Sequence, residues 1–335
     1  MKKEEVRDAA PGANILATAR AFQASRALLT AHELDVFTLI GRGARSAGDV
    51  AREASADARA MDRLLCALCA LGFLEKKDGV FANAPESARF LSQDGPDYLA
   101  GLAHMSQQYQ SWAGLTQAVR QGTKVDSGPV DSDDEGRTRA FIAAMHGRAR
   151  DNAANLARLI GLNGVRRILD VGGGSGVYAM ALVRQAHEAT AVVLDLPKVA
   201  VLTREYLRQA GLADKITVED GDYHQADFGS GFDLVLFSAV LHINSGKENL
   251  ALLHKAFAAL NPGGRIAIED FVMDGDRTSP ARGAVFALNM LVSTSRGDTY
   301  TEAEIRDWLR LAGCADLVRK ETGPGSSLII GRKPT

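Results

Sequence analysis

The sequence predicts an α/β protein: a doubly wound, mostly parallel sheet preceded by a smaller, mainly helical unit of winged-helix outline. Three observations predict it. The chain has 335 residues, about twice a typical domain length. Near Gly161 the apolar pattern changes from helical steps to short β-rich runs alternating with helical segments. A glycine cluster, "LDVGGGSG" (169–176), stands between the first of those runs and a helix. The expected division is 1–105 for the helical unit and 106–335 for linking helices and the sheet domain.

In the first unit, Ser46 and Asp49 form a cap-like S-x-x-D, and Asp57 caps a helix whose core face is Met61, Leu64, Leu65, Leu68 and Leu71. Asp78-Gly79, between two short apolar stretches, reads as a tight hairpin. Helix, helix, hairpin is a winged-helix outline. A DNA-binding use needs unopposed cations on one face, yet residues 1–105 carry 13 basic and 14 acidic side chains. The better account is dimerisation, because the apolar N-terminal helix around Ile15, Leu16, Ala21, Phe22 and Leu28 lacks a partner within so small a unit. Cys66 and Cys69 form a C-x-x-C inside an apolar helical run, without a second metal-type pair, and read as packing residues; no metal site is expected.

Charge and composition exclude several classes. Lys plus Arg total 39 and Asp plus Glu 41, a net charge of −2, which leaves no electrostatic footprint for nucleic acid or an anionic membrane. The longest stretch without formal charge, Tyr98 to Val119, holds one histidine, four glutamines and two serines, too polar for a membrane span. The opening Met-Lys-Lys-Glu-Glu-Val is followed by no apolar run, so the cytoplasm is the default compartment.

In the second unit the strands expected are 166–171, 190–195, 215–220, 232–239 and 264–272, with helices near 177–187, 198–211 and 246–260. Strands spaced this way require crossover helices and form a parallel sheet. "ADLVRKETG" and "SSLIIGRK" read as a closing hairpin that adds an antiparallel strand at one edge. Residues 98–160 read as linking helices interrupted by the acidic loop 130–136.

Gly172, Gly174 and Gly176 allow a sharp turn and close approach of a ligand at the carboxyl end of the sheet. A dinucleotide fingerprint fails, because G-x-G-x-x-G requires glycine where Val177 stands, and a frame begun at Gly173 meets Ser175. Asp195 ends the second strand, 19 residues beyond Gly176, where a carboxylate accepts both ribose hydroxyls. Asp222, after the third strand, is placed to accept from an adenine amino group, and Asp170 to orient an ammonium. Ribose, adenine and amino-acid ends without a phosphate cradle describe S-adenosylmethionine.

Together "AFQASRALLTAHELDVF", "LDVGGGSG", "LDLPKV", "GDYH" and "LHINS" make the chain resemble the S-adenosylmethionine-dependent O-methyltransferases of the caffeate and hydroxyneurosporene type, over nearly its whole length. The resemblance implies a Rossmann-like class I methyltransferase sheet, a winged-helix dimerisation domain and a homodimer. It implies a small-molecule acceptor, aromatic or polyene-like, and S-adenosylhomocysteine as product. Leu196 and Tyr223, beside the two acids, and Ser238, at the end of the fourth strand, complete the candidate cofactor set.

His242 stands just past the fourth strand, at the edge where open α/β sheets bind ligands. An imidazole, with an ordinary pKa of about 6.5, can take a hydroxyl proton at neutral pH. A lone strand-end histidine is often only hydrogen-bonded, but this one falls on the family's general-base position. Asp270 ends the next strand and matches the acid that orients the base, whereas Glu269 points to the opposite face. Two departures weaken the pattern: Ile243 stands where an acid commonly follows the base, and Thr299 replaces a second supporting acid. Phe141 and Met145 match positions packed against cofactor and acceptor, with core packing an equal reading for Phe141. Trp112, His146, Phe286, Asn289 and Met290 complete the expected acceptor pocket. Rival readings are a carbon methyltransferase or a non-methylating cofactor binder on the same fold, and a winged-helix regulator that senses the cofactor on DNA.

Overall fold

Caps, turns and apolar periods set the element boundaries. The computed structural model describes residues 12–43, 45–125, 135–323 and 325–335. Of the expected acidic loop, 130–134 lie outside the described residues, while Glu135 and Gly136 open a helix. The chain divides into one unit up to Ser106 and another from Gln107.

The first unit contains α1 (Ala13–Arg20), α2 (Phe22–Glu33), α3 (Val36–Gly41), α4 (Ala47–Glu53), α5 (Ala58–Ala70), β1 (Leu74–Lys77), β2 (Val80–Asn83) and α6 (Pro85–Phe90). Ser46 accepts from the Asp49 N–H and Asp57 from the Ala60 N–H, so both caps form as their residue types dictate. Asp78 and Gly79 have φ of 50° and 79°, the left-handed pair that a two-residue hairpin needs between β1 and β2. Helix α5 buries Met61, Leu65 and Leu68, but Leu64 is only half-buried and Leu71 is 42% exposed. The expected core face is therefore shorter, because Leu71 is the C-cap and lies beyond the last turn whose phase the pattern assumed. Cys66 and Cys69 are free thiols on this helix, and no group of potential metal ligands occurs among the described residues. Asp62 faces both Arg63 and Lys76, at 3.1 and 3.4 Å, which leaves the would-be recognition helix near neutral. Ile15, Leu16 and Phe22 on α1 and α2 remain more than half exposed.

α7 (Leu102–Ala113) carries the chain into the second unit, followed by α8 (Leu115–Gln121) and the long α9 (Glu135–Ile160). Then β3 (Arg167–Val171), α10 (Val177–Gln185), β4 (Thr190–Asp195), α11 (Pro197–Gln209), β5 (Ile216–Asp220) and β6 (Phe232–Ser238) alternate. A 3₁₀ turn over Leu241–Ile243 leads to α12 (Gly246–Ala259) and β7 (Leu260–Asp270). β8 (Val272–Met273), α13 (Ala281–Ser293), β9 (Tyr300–Thr301), α14 (Glu302–Leu311), β10 (Ala315–Gly323) and β11 (Ser326–Arg332) complete it.

The seven-stranded sheet runs β10-β11-β7-β6-β3-β4-β5, with β7 through β5 parallel. The terminal hairpin closes one edge of the sheet as expected: β11 runs antiparallel beside β7, and β10, antiparallel to β11, forms the outer edge. Alternation along the strands splits the core. Leu169, Val171, Val235, Phe237, Ile266 and Ile268 pack toward α12 and α14, while Ile168, Leu234, Leu236 and Ala267 pack toward α9 and α10. Both faces are covered, so the polar residues at the strands' carboxyl ends stand out. No helix among the described residues is long and apolar enough to cross a membrane.

Candidate active site

The glycine loop between β3 and α10 is shaped by backbone sterics. Gly172, Gly174 and Gly176 take φ of 66°, 58° and 73°, where a side chain is strained. A Cβ at Gly172 would stand 2.9 Å from Val240 Cγ2, and one at Gly173 would stand 2.7 Å from Asp170 Oδ2. Three contacts pin the loop. Asp195 Oδ2 accepts from the Gly174 N–H at 2.8 Å, Thr203 Oγ1 donates to the Gly174 carbonyl at 2.6 Å, and Ser175 Oγ meets His146 Nδ1 at 2.9 Å.

The acids named from sequence occupy different depths. Asp195 sits at the tip of β4, and its other oxygen accepts from the Leu196 N–H; burial raises its pKa while these two N–H groups oppose the rise. Leu196 is half exposed beside it. Asp222 follows β5 and accepts from the His224 N–H at 2.8 Å, and the neighbouring Tyr223 hydroxyl donates to Asn244 Oδ1 at 3.3 Å. Asp170 lies fully buried beneath the loop, Oδ2 packed under Gly173. Strand geometry aims its side chain under Gly173, which the sequence position alone did not reveal. Burial raises its pKa to about 7, against a weaker pull from the Ala179 backbone.

The glycine cradle and the strand-end carboxylates fit S-adenosylmethionine: Gly172, Gly174 and Gly176 leave room for close approach, and Asp195 and Asp222 offer acceptor oxygens beside it.

Beyond β6 the chain turns at Ala239, whose φ is 57°, and delivers His242 on the 3₁₀ turn. His242 is buried, with Nδ1 2.7 Å from Asp270 Oδ1; its backbone N–H donates to Asp270 Oδ2 at 3.2 Å. The carboxylate only accepts, so Nδ1 carries a proton toward it. Asp270 Oδ1 also accepts from the Phe271 N–H at 2.8 Å. Phe286 on α13 meets the imidazole edge-on, centroids 4.9 Å apart, and packs on Phe271. Ile243 is 40% exposed and Thr299 is buried, and neither supplies a carboxylate beside His242.

Several supports of this turn were missed. Asn249 donates to the Leu241 carbonyl at 3.0 Å and Asn244 to the Val240 carbonyl at 3.1 Å, both side chains buried. The Tyr300 hydroxyl donates to the Asn244 carbonyl. The His242 carbonyl accepts from the Asp298 N–H at 3.0 Å, and a Cβ on Gly297 would collide with that carbonyl oxygen. Only the N-cap pattern of Ser245 and Glu248 signalled any of this framework from sequence.

On the expected acceptor side, Asn289 Oδ1 accepts from Trp112 Nε1 at 3.0 Å, and Met290 is buried beside it on α13. Met145 is half-buried and Phe141 is 38% exposed on α9. His146 stands apart from this group: it joins the glycine loop through Ser175 and stacks on Tyr206 at 4.4 Å, and burial lowers its pKa, with Arg150 adding to the effect.

Fold and site together define an S-adenosylmethionine-dependent methyltransferase with a class I sheet. Residues 112–315 match the O-methyltransferase domain family and residues 16–93 the O-methyltransferase dimerisation domain family. The chain is similar to a 3-hydroxy-5-methyl-1-naphthoate 3-O-methyltransferase of Streptomyces sahachiroi, 34% identical over 315 residues, covering 91% of this chain and 90% of the relative. It is also similar to an L-tyrosine C(3)-methyltransferase of Streptomyces lavendulae, 29% identical, covering 89% and 85%. Among solved structures, human N-acetylserotonin methyltransferase in complex with SAM superposes with a TM-score of 0.84 at 25% identity, covering 99% of this chain and all of that one. The chain belongs to the S-adenosylmethionine-dependent O-methyltransferase family.

Two outcomes follow from this geometry. Gly297→Ala pushes on the His242 carbonyl, so turnover should fall by about tenfold or more while calorimetric affinity for S-adenosylmethionine stays near that of the parent; equal losses in both would mean that the turn does not position the base. Asp170 holds a proton when folded that the unfolded chain, with an ordinary value of 3.8, releases between that pH and about 7, so stability falls as pH rises through this window. Asp170→Asn should raise the thermal midpoint at about pH 8 and lose the advantage near pH 4, read from melts across pH.

Proposed function

We propose that this enzyme methylates a hydroxyl of a small aromatic molecule, with His242 as general base and Asp270 orienting it. The observation that carries the reading is the buried His242–Asp270 contact at the carboxyl ends of β6 and β7. The bound sulfonium supplies an electrophilic methyl group. His242 Nε2, bare because Asp270 fixes the proton on Nδ1, accepts the hydroxyl proton, and Asp270 stabilises the imidazolium that results. Phe286 limits rotation of the ring through its edge contact. Asn289, with its oxygen engaged by Trp112, keeps its amide N–H groups for an acceptor oxygen.

An aromatic acceptor is supported by the naphthoate relative and by the rings of Trp112 and Phe286. The cofactor contacts are assigned to Gly172, Gly174, Gly176, Asp195, Leu196, Asp222, Tyr223 and Ser238. A second copy of the chain covers the exposed Ile15, Leu16 and Phe22, making a homodimer through the N-terminal unit.

Methyl-labelled S-adenosylmethionine with a panel of phenols tests the reading, products being located by NMR. Label on oxygen is expected; label on ring carbon would replace the proposal with carbon transfer. His242→Ala should lower turnover by roughly 10²–10⁴-fold with cofactor affinity retained, and unchanged turnover would remove His242 from the mechanism. Phe22→Asp should give the mass of one chain by light scattering at micromolar concentration, whereas a dimeric mass would place the interface elsewhere.

A further inference from the structure

Three segments converge where the donor cradle borders His242: the glycine loop after β3, Asp222–His224 after β5 and the turn after β6. A Cβ at Gly172 would stand 2.9 Å from Val240 Cγ2 and 3.7 Å from Tyr223 Cε1, so Val240 and Tyr223 are the side chains set against that glycine. The segment after β5 is held by α12, whose Lys255 Nζ donates to the Tyr223 and His224 carbonyls at 2.7 and 3.3 Å. The Tyr223 and His224 rings lie 4.6 Å apart, centre to centre.

Asn244, 3% exposed, joins this segment to the turn through both ends of its amide. Nδ2 donates to the Val240 carbonyl at 3.1 Å and so closes residues 240–244 into a loop with His242 at its centre. That carbonyl only accepts, so the nitrogen end of the amide has to face it, and Oδ1 points the other way. There Oδ1 lies 3.0 Å from His224 Nε2 and accepts from the Tyr223 hydroxyl at 3.3 Å. An amide oxygen needs a donor, so His224 carries a proton on Nε2. The backbone of Asn244 is engaged as well: its N–H donates to the Leu241 carbonyl at 3.2 Å and its carbonyl accepts from the Tyr300 hydroxyl. Closing the turn requires only Nδ2. Oδ1 is spent on the donor side, where it receives two side chains from a different loop.

We propose that Asn244 is a positioning residue that couples the donor cradle to the turn presenting His242. A donor packed against Gly172 and Tyr223 holds Tyr223 and His224 in place, and through Asn244 these two hold residues 240–244. Opening of the turn then breaks contacts that the donor stabilises, so the turn opens less often in the bound enzyme than in the free one. The closed turn is already the form of the free protein, so cutting the link costs little donor affinity, whereas it loosens the placement of His242 against the methyl group. The proposal rests on the donor site assigned above and is independent of the identity of the acceptor.

Hydrogen exchange read by mass spectrometry, with and without S-adenosylhomocysteine, tests the link without any acceptor. In the wild-type enzyme the ligand should slow exchange in the 172–176 loop and also in the 240–245 turn, by roughly fivefold or more. Asn244→Ala should keep the slowing at 172–176 and lose it at 240–245. Its calorimetric affinity should stay within about threefold of wild type, while turnover falls by about tenfold or more. Tyr223→Phe combined with His224→Ala removes both donors to Oδ1 and leaves the bond to the Val240 carbonyl. This pair should lose the response at the turn in the same way, and it carries the test if Asn244→Ala does not fold. A turn that the ligand still protects to the wild-type extent in either variant would overturn the proposal in favour of a purely structural Asn244. Slowing confined to 172–176 in the wild-type enzyme would overturn it too, and slowing at neither segment would remove the donor-site reading on which it rests.

Discussion

One buried contact, His242 Nδ1 to Asp270 Oδ1 at 2.7 Å, is the constraint around which the carboxyl edge of the sheet is arranged. Asp270 can reach the imidazole only because β6 and β7 are parallel neighbours in register and the chain leaves β6 through a left-handed residue at Ala239. Both oxygens of the carboxylate are engaged by this turn, and Asn244, Asn249 and Gly297 support its backbone from behind or below. Removing one partner would leave a buried polar group unsatisfied, which costs about 1–3 kcal/mol and more where the group left is charged. The same geometry that settles the tautomer therefore also ties the site to the stability of the sheet.

The neighbouring polar groups follow a different rule. Asp170 and Glu269 are buried acids, each on a face otherwise filled by Leu, Ile and Ala. A core selected for stability alone would hold apolar side chains there. Buried acids concentrated beside a glycine cradle, which a Cβ would fill, are instead the pattern of a site shaped for a ligand at some cost to the empty protein. The absence of a second carboxylate at Ile243 and Thr299 leaves the orientation of the His242 ring to Asp270 and to the edge contact with Phe286.

Local signals were legible in the sequence wherever one stretch of chain determines the outcome. The caps at Ser46 and Asp57, the Asp78-Gly79 turn, the glycine loop and the parallel strands each depend on nearby residues, and the first three are visible as hydrogen bonds or left-handed φ values. The pairing of His242 with Asp270 was readable because strand ends can be matched once the topology is known. What the sequence hid is set by distant packing. Trp112 and Asn289 lie 177 residues apart, and His146 reaches Ser175 across 29. Nothing in the spacing of Asp170 distinguishes a surface carboxylate from one beneath the loop, and Leu71 continues the helical pattern after the helix has ended.

The most direct test of the central claim is the tautomer of His242 in the free enzyme, read by nitrogen NMR of ring-labelled histidine with His242→Gln as the assignment control. The account predicts a proton on Nδ1, shifted downfield by its bond to Asp270, and a bare Nε2 facing the crevice. A proton on Nε2 would contradict it, since Asp270 would then not be setting the base and the proposed acceptance of a hydroxyl proton by Nε2 would have no lone pair to use.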